Sequence, residues 1–175
     1  MCFQTPLYMK QLKYIFLILT SITVLGCGAY SFTGADVGNA KTFQVNYFQN
    51  NALLVEPGLD RDFTLALQDL IQNQTNLSLV NSGGDLIYEG EITEYYIAPI
   101  TAVAENTAAQ NRLTISVNIR FINTLEPEND LERRFSFYYD YPGGQQLIGS
   151  TLATALDEIY ERLTQDIFNA TLANW

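Results

Sequence analysis

Alternation of apolar and polar residues predicts four β-strands in the body of the chain. The alternating segments are Thr42–Phe48, Asp85–Pro99, Arg112–Asn123 and Leu131–Tyr139. Such a pattern is typical of strands that bury one face and leave the other polar. The alternation is interrupted at residues 94–96, which indicates a β-bulge in the second strand. A short apolar piece, Leu77–Val80, could form a further strand of its own.

Apolar residues at helical spacing predict two amphipathic helices. The first runs from about Arg61 to Gln74, with Asp60 as its expected N-cap. The second runs from about Ser150 to Leu172. The resulting order is β-α-β-β-β-α. It predicts an α+β fold, a two-layer sandwich in which both helices pack on one face of a mostly antiparallel four-stranded sheet.

The N-terminus has the pattern of a secretory leader. Lys10 and Lys13 precede an apolar stretch, Tyr14–Leu25, which is shorter than a membrane-spanning helix. Translation could start at Met1 or at Met9. The stretch ends in Val-Leu-Gly before Cys27, which resembles the bacterial lipobox and predicts that Cys27 is lipidated. The other interpretation is an ordinary leader with an incidental cysteine.

This pattern divides the chain into three parts. Residues 1–26 are predicted to be the signal peptide, residues 27–40 a lipidated tether, and residues 41–175 a single α+β domain. Gly28 follows the cysteine in place of the Asp that retains many lipoproteins at the inner membrane, and no acidic run follows it. The predicted location is therefore the periplasmic side of the outer membrane, reached through a lipid anchor.

The amino-acid composition argues against several classes of function. The 175-residue chain has a formal net charge of −10 and no histidine. Loss of the leader removes two lysines and leaves −12, which argues against a nucleic-acid partner. Histidine-based catalysis and histidine-ligated metal sites are excluded, and no nucleophile or phosphate-binding motif is present. Glu89 and Glu91 share a strand face but are interpreted as solvated carboxylates and not as a glycosidase pair. We therefore expect a protein without catalytic residues, metal or cofactor.

Arginines on the polar face of the two central strands are the candidate binding residues. If the hairpin turns around Pro127, Arg120 lies opposite Arg134, and Arg112 lies further along the same row. Like charges facing each other are unfavourable unless an anion neutralises them, so the three could bind phosphate or carboxylate. The alternative is that Glu132 and Asp140 neutralise them locally.

Several segments together resemble one known family. They are GCGAYSFTGA at Gly26–Ala35, KTFQVNYFQNNALLVEPGL at Lys41–Leu59, GGDLIYEGEITEYYIAP at Gly83–Pro99, NRLTISVNIRFINT at Asn111–Thr124, Phe168-Asn169 and the terminal Asn174-Trp175. The chain resembles the lipopolysaccharide-assembly outer-membrane lipoproteins of the LptE type, in the form found in Bacteroidetes-like bacteria.

The resemblance implies a role without catalysis. Such a lipoprotein plugs a large outer-membrane β-barrel translocon, assists its assembly and helps to deliver lipopolysaccharide to the outer leaflet. Better-studied members bind lipopolysaccharide through basic residues, and here Arg112, Arg120 and Arg134 could supply that contact or the contact with the barrel. The alternative function is a generic periplasmic envelope lipoprotein that binds a small ligand or acts as a scaffold.

Overall fold

A computed structural model describes residues 35–100 and 110–173. The predicted signal peptide, Cys27, most of the predicted loop Ile100–Gln110 and the terminal Asn174-Trp175 lie outside these residues. The described elements, in chain order, are β1 Thr42–Val45, β2 Gln49–Asn50, α1 Leu59–Gln74, β3 Ser78–Leu79, β4 Leu86–Ile100, β5 Gln110–Asn123, β6 Leu131–Pro142 and α2 Gly149–Leu172. A short 3₁₀ helix, Pro127–Asn129, lies between β5 and β6.

The sheet is mixed and has six strands in the described residues. Its order is β3-β1-β4-β5-β6, and β2 also pairs with β4. Strands β4, β5 and β6 are antiparallel, as predicted, whereas β1 runs parallel to β3 and β4, and β2 runs parallel to β4. The predicted α+β class is confirmed, but the prediction of a four-stranded, mostly antiparallel sheet is wrong. Because α1 carries the chain back across the sheet, the strands on either side of it become parallel neighbours.

Of the first predicted strand, Thr42–Phe48, only Thr42–Val45 forms a strand, β1, and the short strand β2 follows it at Gln49–Asn50. Phe48 leaves the strand pattern: its ring is buried against Phe63 of α1, with centroids 5.2 Å apart. The Phe48 backbone N–H donates to Oγ1 of Thr64, also on α1. The short apolar piece at Leu77–Val80 does form a strand, β3.

The two helices begin slightly earlier than the sequence pattern suggests. Asp60 is not the N-cap of α1. That position is occupied by Gly58, in the left-handed region at φ 85°, with no side-chain cap. The glycine allows the turn to tighten, so the Asp62 N–H bonds to the Gly58 carbonyl and the helix starts at Leu59. Asp60 and Asp62 then lie in the first turn, where negative charge is favourable.

The core lies between the helices and one face of the sheet. Its largest fully buried side chains include Phe43, Tyr88 and Phe121 from the strands and Phe63 and Phe168 from the helices. Residues 35–40, which belong to the predicted tether, also reach this core. Ala35, Val37 and Ala40 pack against it, and the Asp36 N–H donates to the Leu172 carbonyl at 2.6 Å.

Gly90 lies in the middle of β4, where the backbone of β5 and the ring of Phe48 approach the strand closely. A Cβ there would lie 2.0 Å from the Asn118 carbonyl oxygen and 2.7 Å from the Phe48 ring. The missing side chain therefore lets β5 and Phe48 close over β4.

The predicted bulge in β4 is present between Ile92 and Glu94, where the pairing with β5 shifts by one residue. Tyr95 continues the buried face after Ile92, while Glu94 joins Glu89 and Glu91 on the opposite face. The bulge thereby places a third carboxylate on the polar side of the sheet. None of the helices in the described ranges is long and apolar enough to cross a bilayer.

Candidate functional site: the open face of the sheet

Both helices pack on one face of the sheet, and within the described residues the other face has no covering layer. We call this second face the open face. It is lined by polar and aromatic side chains from the three antiparallel strands: Glu89, Glu91, Glu94 and Tyr96 of β4, Arg112, Thr114, Ser116, Asn118 and Arg120 of β5, and Glu132, Arg134, Ser136, Tyr138 and Asp140 of β6. The three arginines predicted from the sequence therefore do share one surface.

The register between β5 and β6 differs from the predicted one. Arg120 lies opposite Glu132, and Arg134 lies opposite Asn118. The predicted apposition of Arg120 and Arg134 is wrong because the turn is centred on Glu126 and not on Pro127. Its geometry is set by Asn123, whose side-chain oxygen accepts hydrogen bonds from the Leu125 and Glu126 N–H groups. Moving the centre of a hairpin by one residue moves every cross-strand pair by two.

Arg112 is held in a rigid, charge-neutral arrangement. Its guanidinium binds Asp140 on β6 through two hydrogen bonds, Nε to Oδ1 at 2.7 Å and Nη2 to Oδ2 at 2.8 Å. The same group stacks on the Tyr138 ring, 3.6 Å from its centroid. The hydrogen bond to Asp140 raises the pKa of Arg112 above its ordinary value. This carboxylate neutralises Arg112 as the alternative interpretation of the sequence expected.

The other two arginines pair with carboxylates of β4. Arg120 Nη1 lies 3.3 Å from Glu89 Oε1, and Arg134 Nη2 lies 2.5 Å from Glu94 Oε2. Glu132, which was expected to neutralise part of the row, lies opposite Arg120 but is not the acid in its ion pair. All three arginines are therefore neutralised within the face, and the charge argument for a preformed anion site no longer holds.

A buried hydroxyl lies at the centre of the open face. Ser116 has no exposed surface, and its hydrogen-bond partner Glu94 is also paired with Arg134. Its hydroxyl donates to Glu94 Oε2 at 2.9 Å and lies 2.9 Å from the hydroxyl of Ser136. The hydrogen bond from Arg134, followed by that from Ser116, lowers the pKa of Glu94. The network ties all three antiparallel strands together on their polar side.

A cleft of about 470 Å³ opens on the same face. Its lining includes Tyr47, Glu91, Asn118, Arg120 and Glu132. The Asn51 amide donates to Glu91 Oε2 at 2.6 Å and so connects the cleft to the loop that follows β2. The cleft offers hydrogen-bond donors and acceptors with an excess of carboxylates, which suits a polar protein surface or a hydroxyl-rich ligand better than an anion.

Two parts of this site were missed by reasoning from the sequence. The sequence pattern does not predict the contact of Glu94 with Ser116 and Arg134, and Glu94 is interpreted, like Glu89 and Glu91, as a solvated carboxylate. The break in alternation at residues 94–96 is the signal that its side chain changes face. Tyr47 belongs to the first predicted strand, and its position beside the cleft, together with that of Gln49, depends on the pairing of β2 with β4, which the sequence pattern does not predict.

Solved structures with a similar fold have very different sequences. The hypothetical protein CT253 from Chlamydia trachomatis superposes with a TM-score of 0.53 at 9% identity, covering 77% of this chain and 99% of that one. Protein XCC0632 from Xanthomonas campestris gives a TM-score of 0.51 at 9% identity, covering 79% and 89%. At such identity the similarity shows a common fold alone.

Sequence comparison identifies the family. No curated protein matches the chain. A family model described as "LptE: Lipopolysaccharide-assembly" matches residues 40–171, which is most of the chain and nearly all of the two-layer domain. The chain belongs to the LptE lipopolysaccharide-assembly family.

Proposed function

We propose that this protein is an outer-membrane lipoprotein without catalytic activity. In this proposal it plugs the lipopolysaccharide-translocating β-barrel, helps it to assemble, and assists the insertion of lipopolysaccharide into the outer leaflet. Lipidation of Cys27 holds it on the periplasmic side of the outer membrane. Membership of the LptE family supports the role in lipopolysaccharide assembly.

The observation that carries the plug proposal is the open face itself. Large outer-membrane barrels have polar interiors, so a protein inside one needs hydrogen-bonding side chains on the surface that meets the wall. The open face provides these on three adjacent strands, and its ion pairs and stacked Arg112–Tyr138 unit hold them in place. A preorganised face loses little side-chain freedom on binding.

Of the functions that the family implies, direct binding of lipopolysaccharide phosphate is the one that the charges of this chain support least. Arg112, Arg120 and Arg134 would each have to leave a carboxylate partner before binding a phosphate. The face also carries Glu91 and Glu132, which would repel it. We therefore assign the three arginines to the barrel contact, with help to lipopolysaccharide insertion acting through the barrel.

A ligand-binding or scaffolding lipoprotein of the periplasm is the second candidate function. The observation that favours it is the polar cleft beside Tyr47, which is large enough to hold a small ligand. Recovery of the protein with a small molecule and without a large barrel would favour this alternative.

Charge reversal on the open face tests the plug proposal. We expect Arg120→Glu combined with Arg134→Glu to reduce the amount of barrel protein that co-purifies in detergent. The domain should remain folded at a somewhat lower melting temperature, because each exposed ion pair contributes only about 0–1 kcal/mol but the new carboxylates also lie beside Glu89, Glu94 and Glu132. Arg61→Glu is the matched control, since Arg61 also forms an exposed ion pair, with Asp62, but lies on α1. Undiminished barrel recovery, together with normal resistance of the envelope to large antibiotics, would reject the open face as the contact.

A further inference from the structure

Three consecutive apolar residues project from the loop between β2 and α1. We call Leu53, Leu54 and Val55 the apolar tip. Their exposures are 101%, 50% and 79%, so the Leu53 side chain has no cover at all in the described structure. A run of three exposed apolar residues is unfavourable in water and is characteristic of a surface that another molecule covers.

The loop that carries the tip is held at both ends. Before the tip, the Asn51 N–H donates to the Ile92 carbonyl at 2.8 Å, and the side chain of Ala52 is buried. After the tip, the Leu59 N–H donates to the Glu56 carbonyl at 3.3 Å, and the Leu59 side chain is buried. The backbone on either side is thus fixed in a position that points the tip away from the protein's own core.

The charges around the tip are mainly negative. Glu56 follows it directly, and Glu91 holds the preceding Asn51 through the bond from the Asn51 amide. Asp60 and Asp62 lie in the first turn of α1, where the neighbouring Arg61 is already paired with Asp62 at 2.9 Å. An apolar tip with an acidic rim complements an apolar pocket with a basic rim. It is a poor match for the surface of an anionic bilayer.

The tip is continuous with the open face. Glu91, which binds Asn51 at the base of the tip, also lines the polar cleft. We propose that the apolar tip inserts into an apolar, basic-rimmed pocket of the same barrel protein that meets the open face, with Leu53 as the central anchor. This inference rests on the proposed function. It adds to a broad polar contact the small buried apolar anchor that dominates binding energy in many interfaces.

Site-specific crosslinking tests the inference in the full-length, membrane-anchored protein. A photoreactive amino acid at Leu53 should give an ultraviolet-dependent adduct with the barrel. The same group at Leu65, an exposed leucine on α1, should not. Adducts with lipid alone, or no adduct at Leu53, would overturn the inference and would favour a membrane-facing or uncovered loop.

A second variant pair separates this inference from the proposed function. Leu53→Ser with Val55→Ser should reduce barrel recovery about tenfold or more at an unchanged melting temperature, whereas Leu65→Ser should leave recovery unchanged. If the parent protein recovers the barrel and the tip variant recovers as much, only the tip assignment is wrong. If the parent protein recovers no barrel, the proposed function fails and the tip assignment fails with it.

Discussion

Neighbouring residues of β5 lie in opposite environments, because one face of the sheet is buried and the other is exposed. Val117 and Ile119 are 0% and 1% exposed and lie in the core, while Asn118 between them is exposed on the open face. Neighbouring positions on one strand therefore differ in the cost of accepting a charge, because successive strand side chains point to opposite sides.

Aspartate substitutions along β5 should reproduce this difference. Val117→Asp and Ile119→Asp should each lower the free energy of unfolding by about 3–5 kcal/mol, because each buries an unpaired carboxylate. Asn118→Asp should change it by less than about 1 kcal/mol, since the new charge remains solvated and attraction by Arg134 on β6 offsets repulsion by Glu91 on β4. Urea unfolding measures all three. Equal losses would mean that β5 is buried on both faces.

At the scale of elements, the β5–β6 hairpin decides what the open face can do. Its turn brings Ser116 opposite Ser136 and Arg112 opposite Asp140, while β4 supplies the acids for the other two arginines. A hairpin turning one residue later would have placed two arginines face to face. The difference between an anion site and a neutral hydrogen-bonding surface thus depends on a few hydrogen bonds to the Asn123 side chain.

Engineered disulfides can distinguish these two registers. Ser116→Cys with Ser136→Cys should oxidise readily, because directly opposite residues have Cα atoms about 4.5–5.5 Å apart. Asn118→Cys with Ser136→Cys should not, because these positions are diagonal and about 7–8 Å apart. Migration on gels with and without reductant is the measurement, with the parent protein as the control for its own cysteines. A disulfide in the second pair alone would show that the turn is centred on Pro127.

At the scale of the whole molecule, an asymmetric two-layer domain combines with a predicted lipid anchor. The helices cover one face of the sheet, and residues 35–40 dock beside the end of α2. Residues 35–40 therefore belong to the folded domain and are not part of a free tether. We expect the anchor to keep the acidic domain at the membrane surface, where it can meet a barrel embedded in the same membrane.

Removal of the anchor cysteine tests this arrangement. Cys27→Ala should abolish incorporation of radiolabelled fatty acid, because Cys2, the chain's other cysteine, lies within the predicted leader. The mutant domain should fold normally, and its melting temperature should match that of the parent, since the described core begins after the anchor. Continued labelling of the mutant would contradict the lipobox assignment.

Local periodicity was sufficient to predict the α+β class, the three long strands and both amphipathic helices. The alternation along β5 and the helical spacing of Phe63, Leu67 and Ile71 are properties of short segments. The apolar residues of both segments are buried, as predicted. The bulge in β4 was visible as a local break in the pattern. The family was also predicted from the sequence, and four of the six segments that carry the resemblance lie within the matched residues 40–171.

Only the tertiary structure decided how these elements pair. β1 joins β4 in parallel partly because the Asp85 carboxylate accepts hydrogen bonds from the Lys41 and Thr42 N–H groups, more than forty residues away in the chain. The small strands β2 and β3 have too few residues to show a period, and they exist because neighbouring strands offer free backbone groups. The pairing of Arg120 with Glu89 likewise depends on register, and register is set by turn geometry and long-range packing, which no local pattern contains.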